Sequence, residues 1–122
     1  METILVVDDE LAIRLLYQEE FTDQGYKVLT AANALDGLDI IENKQVDLVI
    51  LDIKMPGMDG LEALKKIAAL NKGVPIILNS AFDYKDDFIT WPCRAYVIKS
   101  QDLTELKETV KSFLSGSGKF NP

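Results

Sequence analysis

Leu48-Val49-Ile50-Leu51-Asp52-Ile53-Lys54-Met55-Pro56-Gly57 is the stretch on which the fold turns. Four apolar residues run without alternation and then give way to a carboxylate and a loop holding proline and glycine. Such a run, bounded by turn residues, suits a strand covered on both faces, as in parallel sheets. The same grammar recurs on either side. Ile4-Leu5-Val6-Val7 precedes Asp8-Asp9-Glu10, Ile76-Ile77-Leu78 precedes Asn79-Ser80, and Tyr96-Val97-Ile98 precedes Lys99. Tyr26-Lys27-Val28-Leu29-Thr30 is more polar and suits an edge strand. Amphipathic stretches separate the five runs, and this alternation predicts an α/β domain with a parallel sheet.

The helix starts are legible. Asn33 before Ala34-Leu35-Asp36, Asp59 before Gly60-Leu61-Glu62 and Asp102 before Leu103-Thr104-Glu105 each place a carboxylate three residues after a capping side chain. Asp8 or Asp9 is expected to cap a helix that runs through Leu11, Leu15 and Leu16 and ends at Gln24-Gly25. The helix after Asp59 carries Leu61, Leu64, Ile67 and Ala68 at helical spacing and stops before Asn71-Lys72-Gly73. The last helix carries Leu103, Leu106, Val110, Phe113 and Leu114 on one face. Between the fourth and fifth strands, Asp83 to Ile89 allows only a short fourth helix, cut off by Trp91-Pro92. Residues 1–114 are expected to form one domain, with Ser115 to Pro122 a flexible tail or the start of a linker.

Composition narrows the chemistry. The chain has 122 residues, 48% of them apolar and 27% charged, the profile of a folded single domain. Twenty acidic against thirteen basic residues leave a net charge of −7. That sign opposes direct binding of nucleic acid or an anionic membrane, since phosphate binding needs clustered Lys and Arg. Histidine is absent and Cys93 is the one cysteine. Ser-His-Asp hydrolysis, Cys-His chemistry, an ordinary zinc site and an internal disulfide are thereby excluded. No apolar run approaches the ~18 residues of a membrane span, and Met1-Glu2-Thr3 lacks the features of a signal peptide, so a cytoplasmic setting is expected.

Every strand of a parallel sheet ends at the same edge, because each crossover returns the chain to the opposite end. Asp8, Asp9, Asp52, Ser80 and Lys99 therefore converge there, where open α/β sheets bind ligands. Crowded carboxylates facing one ammonium invite a hard divalent cation, and oxygen ligands without thiolate or imidazole point to Mg²⁺. Carboxylate, metal and Lys together suit receipt of a phosphoryl group: an oxygen attacks while the cations neutralise charge on the transferring oxygens.

Val6-Val7-Asp8-Asp9-Glu10, Leu51-Asp52-Ile53-Lys54-Met55-Pro56-Gly57-Met58-Asp59-Gly60, Ser80-Ala81 and Tyr96-Val97-Ile98-Lys99 together resemble the receiver domain of two-component response regulators over about Glu2 to Leu114. The resemblance implies the CheY-like, flavodoxin-like doubly wound fold, whose expected strand order is 2-1-3-4-5. It implies Asp52 as phosphoacceptor, taking its phosphoryl group from a sensor histidine kinase or phosphotransfer protein. Asp9, Asp52 and the backbone carbonyl of Lys54 would bind Mg²⁺, with Asp8 acting through water. Lys99 would pair with Asp52 and then with the phosphoryl oxygens, and Ser80 would donate its hydroxyl. Tyr96 would turn inward as the loop after the fourth strand closes. An output partner or domain, not identifiable from this chain, would read the changed surface.

Two departures from the family pattern stand out. Ser100 follows Lys99 where the family has proline, so a trans bond is expected there. The shortened fourth helix predicts an altered recognition face. Lys54 and Phe82 are expected to overhang the path of attacking water and slow self-dephosphorylation. Two rivals remain in view. A phosphohydrolase of the aspartyl-phosphate type would need Asp where Lys54 stands. A scaffold or binding module independent of phosphorylation would share the fold. The spacing from Asp52 to Asp59 does not reproduce an EF-hand.

Overall fold

The structure, a computed structural model, describes residues 1–53, 60–70, 73–81 and 92–114. Its strands are β1 (Thr3–Val7), β2 (Lys27–Ala31), β3 (Leu48–Leu51), β4 (Ile76–Ser80) and β5 (Ala95–Ile98). Helices among the described residues are α1 (Leu11–Asp23), α2 (Ala34–Asn43), α3 (Gly60–Leu70) and α4 (Thr104–Leu114). The strands form one parallel sheet in the order β2-β1-β3-β4-β5, the order expected from the resemblance. The more polar β2 is indeed an edge.

Alternation within each strand divides the core in two and explains why the apolar runs are continuous. Ile4, Val6, Leu48, Ile50, Ile77 and Val97 pack on one face with Tyr17 and Phe21 of α1 and Leu106 and Val110 of α4. Leu5, Val7, Val49, Leu51 and Leu78 pack on the other with Ile41 of α2 and Leu64 and Ile67 of α3. Both faces of the central strands are thus withdrawn from water, at roughly 25 cal/mol per Å² of apolar surface.

Helix α1 departs from the expectation in two ways. Neither Asp8 nor Asp9 caps it: Glu10 occupies the N-cap position without a side-chain capping bond, and Asp8 Oδ1 instead accepts the Glu10 N–H at 2.9 Å. The buried face is also different. Leu11 and Leu15 are 60% and 56% exposed, whereas Tyr17 and Phe21 are fully buried with Ile13 packed beside them. Residues 13, 17 and 21 form an alternative stripe at four-residue spacing, and the face with the larger rings goes inward. Gly25 ends the helix as expected, with φ +99.

The other starts follow the sequence. Asn33 Oδ1 accepts from the Asp36 N–H at 2.8 Å, and Asp102 Oδ1 accepts from the Thr104 N–H at 2.9 Å. The described peptide bonds are all trans, Lys99–Ser100 included. The Asp59 cap, the short fourth helix at Asp83 to Ile89 and the tail from Ser115 lie outside the described residues, so α4 here is the last helix among the described residues. No helix among the described residues is long and apolar enough to cross a membrane.

Candidate functional site

Sheet hydrogen bonding continues one residue beyond three strands. The Asp8 N–H donates to Ala31 O at 3.0 Å, the Asp52 N–H to Val7 O at 3.0 Å, and the Lys99 N–H to Ser80 O at 2.7 Å. Each polar residue is therefore fixed by the neighbouring strand at the moment the chain leaves the sheet. Three strand ends thus carry Asp8, Asp52 and Lys99 to one edge.

Their side chains meet. Lys99 Nζ lies 2.8 Å from Asp8 Oδ2, 3.0 Å from Asp52 Oδ2 and 3.6 Å from Glu10 Oε2. Asp8 and Asp52 are buried, while Asp9 and Glu10 face solvent. Arg14 Nη1 donates to the Asp8 carbonyl at 2.8 Å and ties the first turn of α1 to the same rim. Ser80 is fully buried at the end of β4. Tyr96 on β5 is buried in the core cluster that contains Leu78 and Leu51. Lys54 and Phe82 lie outside the described residues.

The electrostatics leave a deficit of positive charge. Burial raises the Asp8 carboxyl above its usual range; hydrogen bonds from Lys99 and Glu10 counter this only in part, and Asp52 adds to the rise. Burial by itself would lower the Lys99 ammonium, but its bonds to Asp8 and Asp52 outweigh burial and hold it protonated far above neutrality. One ammonium serves two buried carboxylates. Asp8, Asp9 and Glu10 also bring one oxygen each within 4.8 Å of one another. An oxygen-only donor set of high negative charge density fits a hard divalent cation such as Mg²⁺.

Against this geometry the family model for the response regulator receiver domain matches residues 4–111. The chain belongs to the response regulator receiver domain family. Receiver relatives are close in sequence and shape. Sporulation initiation phosphotransferase F of Bacillus subtilis is 37% identical over 116 residues, covering 93% of this chain and 94% of the relative. ZraR of Klebsiella oxytoca, a transcriptional regulatory protein, is 34% identical over 115 residues, covering 92% of this chain but only 26% of the relative. The solved structure of the response regulator TrrA of Thermotoga maritima in complex with Mg²⁺-BeF superposes with a TM-score of 0.88 at 45% identity, covering 93% of this chain and 100% of that one. TrrA has also been solved in complex with the histidine kinase ThkA, with a TM-score of 0.87 at 45% identity, 94% of this chain and 100% of that chain being covered.

Three groups in or beneath this receiver site are not marked out by sequence reasoning. Glu10 is visible only as part of the Asp-Asp-Glu run, yet it reaches Lys99. Tyr17 and Asn79 form a buried hydrogen bond across α1 and β4. The available signal is Asn79 itself, an amide at a strand position otherwise reserved for core residues.

Proposed function

We propose that this receiver domain accepts a phosphoryl group on Asp52 from a phosphohistidine of a sensor kinase or phosphotransfer protein. The observation that carries the reading is the shared ammonium: Lys99 Nζ sits 3.0 Å from Asp52 Oδ2 while also holding Asp8. An Asp52 carboxylate oxygen attacks phosphorus, the bond to the donor nitrogen breaks, and its electron pair remains on the imidazole of the donor. Lys99 orients the carboxylate before transfer and afterwards neutralises the phosphoryl oxygens. Ser80, buried at the adjoining strand end, donates its hydroxyl to one of those oxygens.

Asp9, Asp52 and the Lys54 carbonyl would hold Mg²⁺, with Asp8 acting through water; the bound cation supplies further neutralisation of charge on the transferring group. A group of charge near −2 replaces a carboxylate, so Ser80 and Lys99 gain partners present in one state only, and Tyr96 on β5 turns inward. The resulting surface is read by an output partner or domain. Residues 1–114 act as the receiver unit and residues 115–122 as a tail or linker, in the cytoplasm. The domain has no independent turnover of a small substrate.

Mass spectrometry after incubation with acetyl phosphate and Mg²⁺ tests the reading. The chain is expected to gain the mass of one phosphoryl group, and Asp52→Asn is expected to gain none. An unmodified wild-type chain, or a modified Asp52→Asn variant, would overturn it.

A further inference from the structure

Beneath the acidic rim lies a buried polar chain that the phosphoryl chemistry does not use. The Tyr17 hydroxyl on α1 donates to Asn79 Oδ1 on β4. Asn79 Nδ2 in turn donates to the carbonyl of Val97 on β5 at 2.9 Å. Tyr17 is 1% exposed and Asn79 2%. Placing an amide and a phenol in a core costs free energy unless each finds a partner, and an apolar pair would fill the space without that requirement. Their position gives the polar pair a second use.

Asn79 immediately precedes Ser80, and successive side chains on a strand point to opposite faces. Holding the Asn79 amide towards α1 therefore fixes the rotation of the strand end that aims the Ser80 hydroxyl the other way. The next link lies one residue on, where Ser80 O accepts the Lys99 N–H at 2.7 Å. Two consecutive residues of β4 are thus bonded to the segment of β5 that leads into Lys99. The Tyr17 ring is itself fixed edge-on against Phe21, with centroids 6.1 Å apart and an interplanar angle of 88°. Burial pushes its phenol up to about 12, so it remains a donor at neutral pH.

We infer that Tyr17 and Asn79 are positioning residues for phosphoryl acceptance: their buried hydrogen bond, continued to Val97, holds the ends of β4 and β5 so that Ser80 and Lys99 address the same phosphoryl group. The inference rests on Asp52 being the acceptor. Neither residue touches the phosphoryl group, and neither belongs to the acidic cluster.

The test compares wild type with Tyr17→Phe and with the double variant Tyr17→Phe/Asn79→Leu. Phosphorylation by acetyl phosphate with Mg²⁺ is followed at a temperature where circular dichroism shows each chain folded. Tyr17→Phe leaves Asn79 Oδ1 without this donor and lowers the melting midpoint; the double variant removes that oxygen but also takes the Asn79 amide from the Val97 carbonyl, so it recovers only part of the loss. Both variants are expected to lose about tenfold in maximal phosphorylation rate, with half-saturating donor and Mg²⁺ affinity unchanged. A folded variant of either kind that reacts at the wild-type rate would overturn the inference, because packing alone would then account for the pair. Tyr17→Phe deletes a single oxygen, so the test stands on it if the double variant does not fold. A wild-type chain that takes up no phosphoryl group would instead remove Asp52 as acceptor, a separate failure.

Discussion

Asp8 and Asp52, which follow the neighbouring strands β1 and β3, are bonded to the same ammonium, Lys99 Nζ standing 2.8 Å from one carboxylate and 3.0 Å from the other. Attraction to Lys99 holds both acids in place, but one positive charge cannot offset two negative ones in a buried setting. The net negative charge left at the receiver site would favour a further cation.

Lys99→Met tests the balance. The variant keeps the stem of the side chain and removes the charge, leaving Asp8 and Asp52 facing each other. Breaking a buried pair costs several kcal/mol, and with the Lys99 side chain 13% exposed the loss here should be about 2 kcal/mol. Urea unfolding should show this loss in metal-free buffer. Adding Mg²⁺ should raise the midpoint of the variant more than that of wild type, because the cation then stands in for the missing charge.

Asp9→Ala should separate binding from folding. Asp9 is exposed, so stability in metal-free buffer should stay within about 0.5 kcal/mol of wild type. Mg²⁺ affinity should fall by more than about tenfold, since even an outer partner of a metal site is worth that much. A magnesium titration followed by one-dimensional NMR measures it.

The strand ends are legible in the sequence because the chemistry changes abruptly there: Val7 to Asp8, Leu51 to Asp52 and Ile98 to Lys99 each step from apolar to charged. Sheet order follows from resemblance, since periodicity alone does not say which parallel strands are neighbours. The buried face of α1 is not legible, because two apolar stripes compete on it. Leu11, Leu15 and Leu16 offer one and Ile13, Tyr17 and Phe21 the other, and only tertiary packing decides between them. The Tyr17–Asn79 bond joins residues 62 positions apart, so no local pattern announces it.

Alkaline stability should report on that buried phenol. Tyr17 is raised to about 12 in the folded chain, against an ordinary value of 10.0. Between those values the unfolded chain releases a proton that the folded chain retains, so stability falls as pH rises, by at most about 1.4 kcal/mol per pH unit. Lys99, also raised, acts in the same direction at the alkaline end. The stabilising contribution of Tyr17 is complete below pH 10.0 and lost towards about 12. Urea midpoints measured across that interval should fall less steeply for Tyr17→Phe than for wild type.

Two glycines should respond differently to alanine. Gly25 has φ +99 and open space where a Cβ would stand, so Gly25→Ala costs only the left-handed backbone strain of about 1 kcal/mol. Gly37 lies inside α2, where alanine would gain about 1 kcal/mol of helix propensity. Its Cβ, however, would stand 3.0 Å from Val7 Cγ2, and Val7 is fully buried at the end of β1. Overpacking of this kind costs about 1–3 kcal/mol, so Gly37→Ala should be destabilising by about 1 kcal/mol net. The two losses are alike in size and unlike in consequence. Val7 O accepts the Asp52 N–H, so any shift of Val7 moves the acceptor strand, whereas Gly25 lies at the far end of α1. Acetyl phosphate kinetics on the two folded variants should show slower phosphorylation for Gly37→Ala and the wild-type rate for Gly25→Ala.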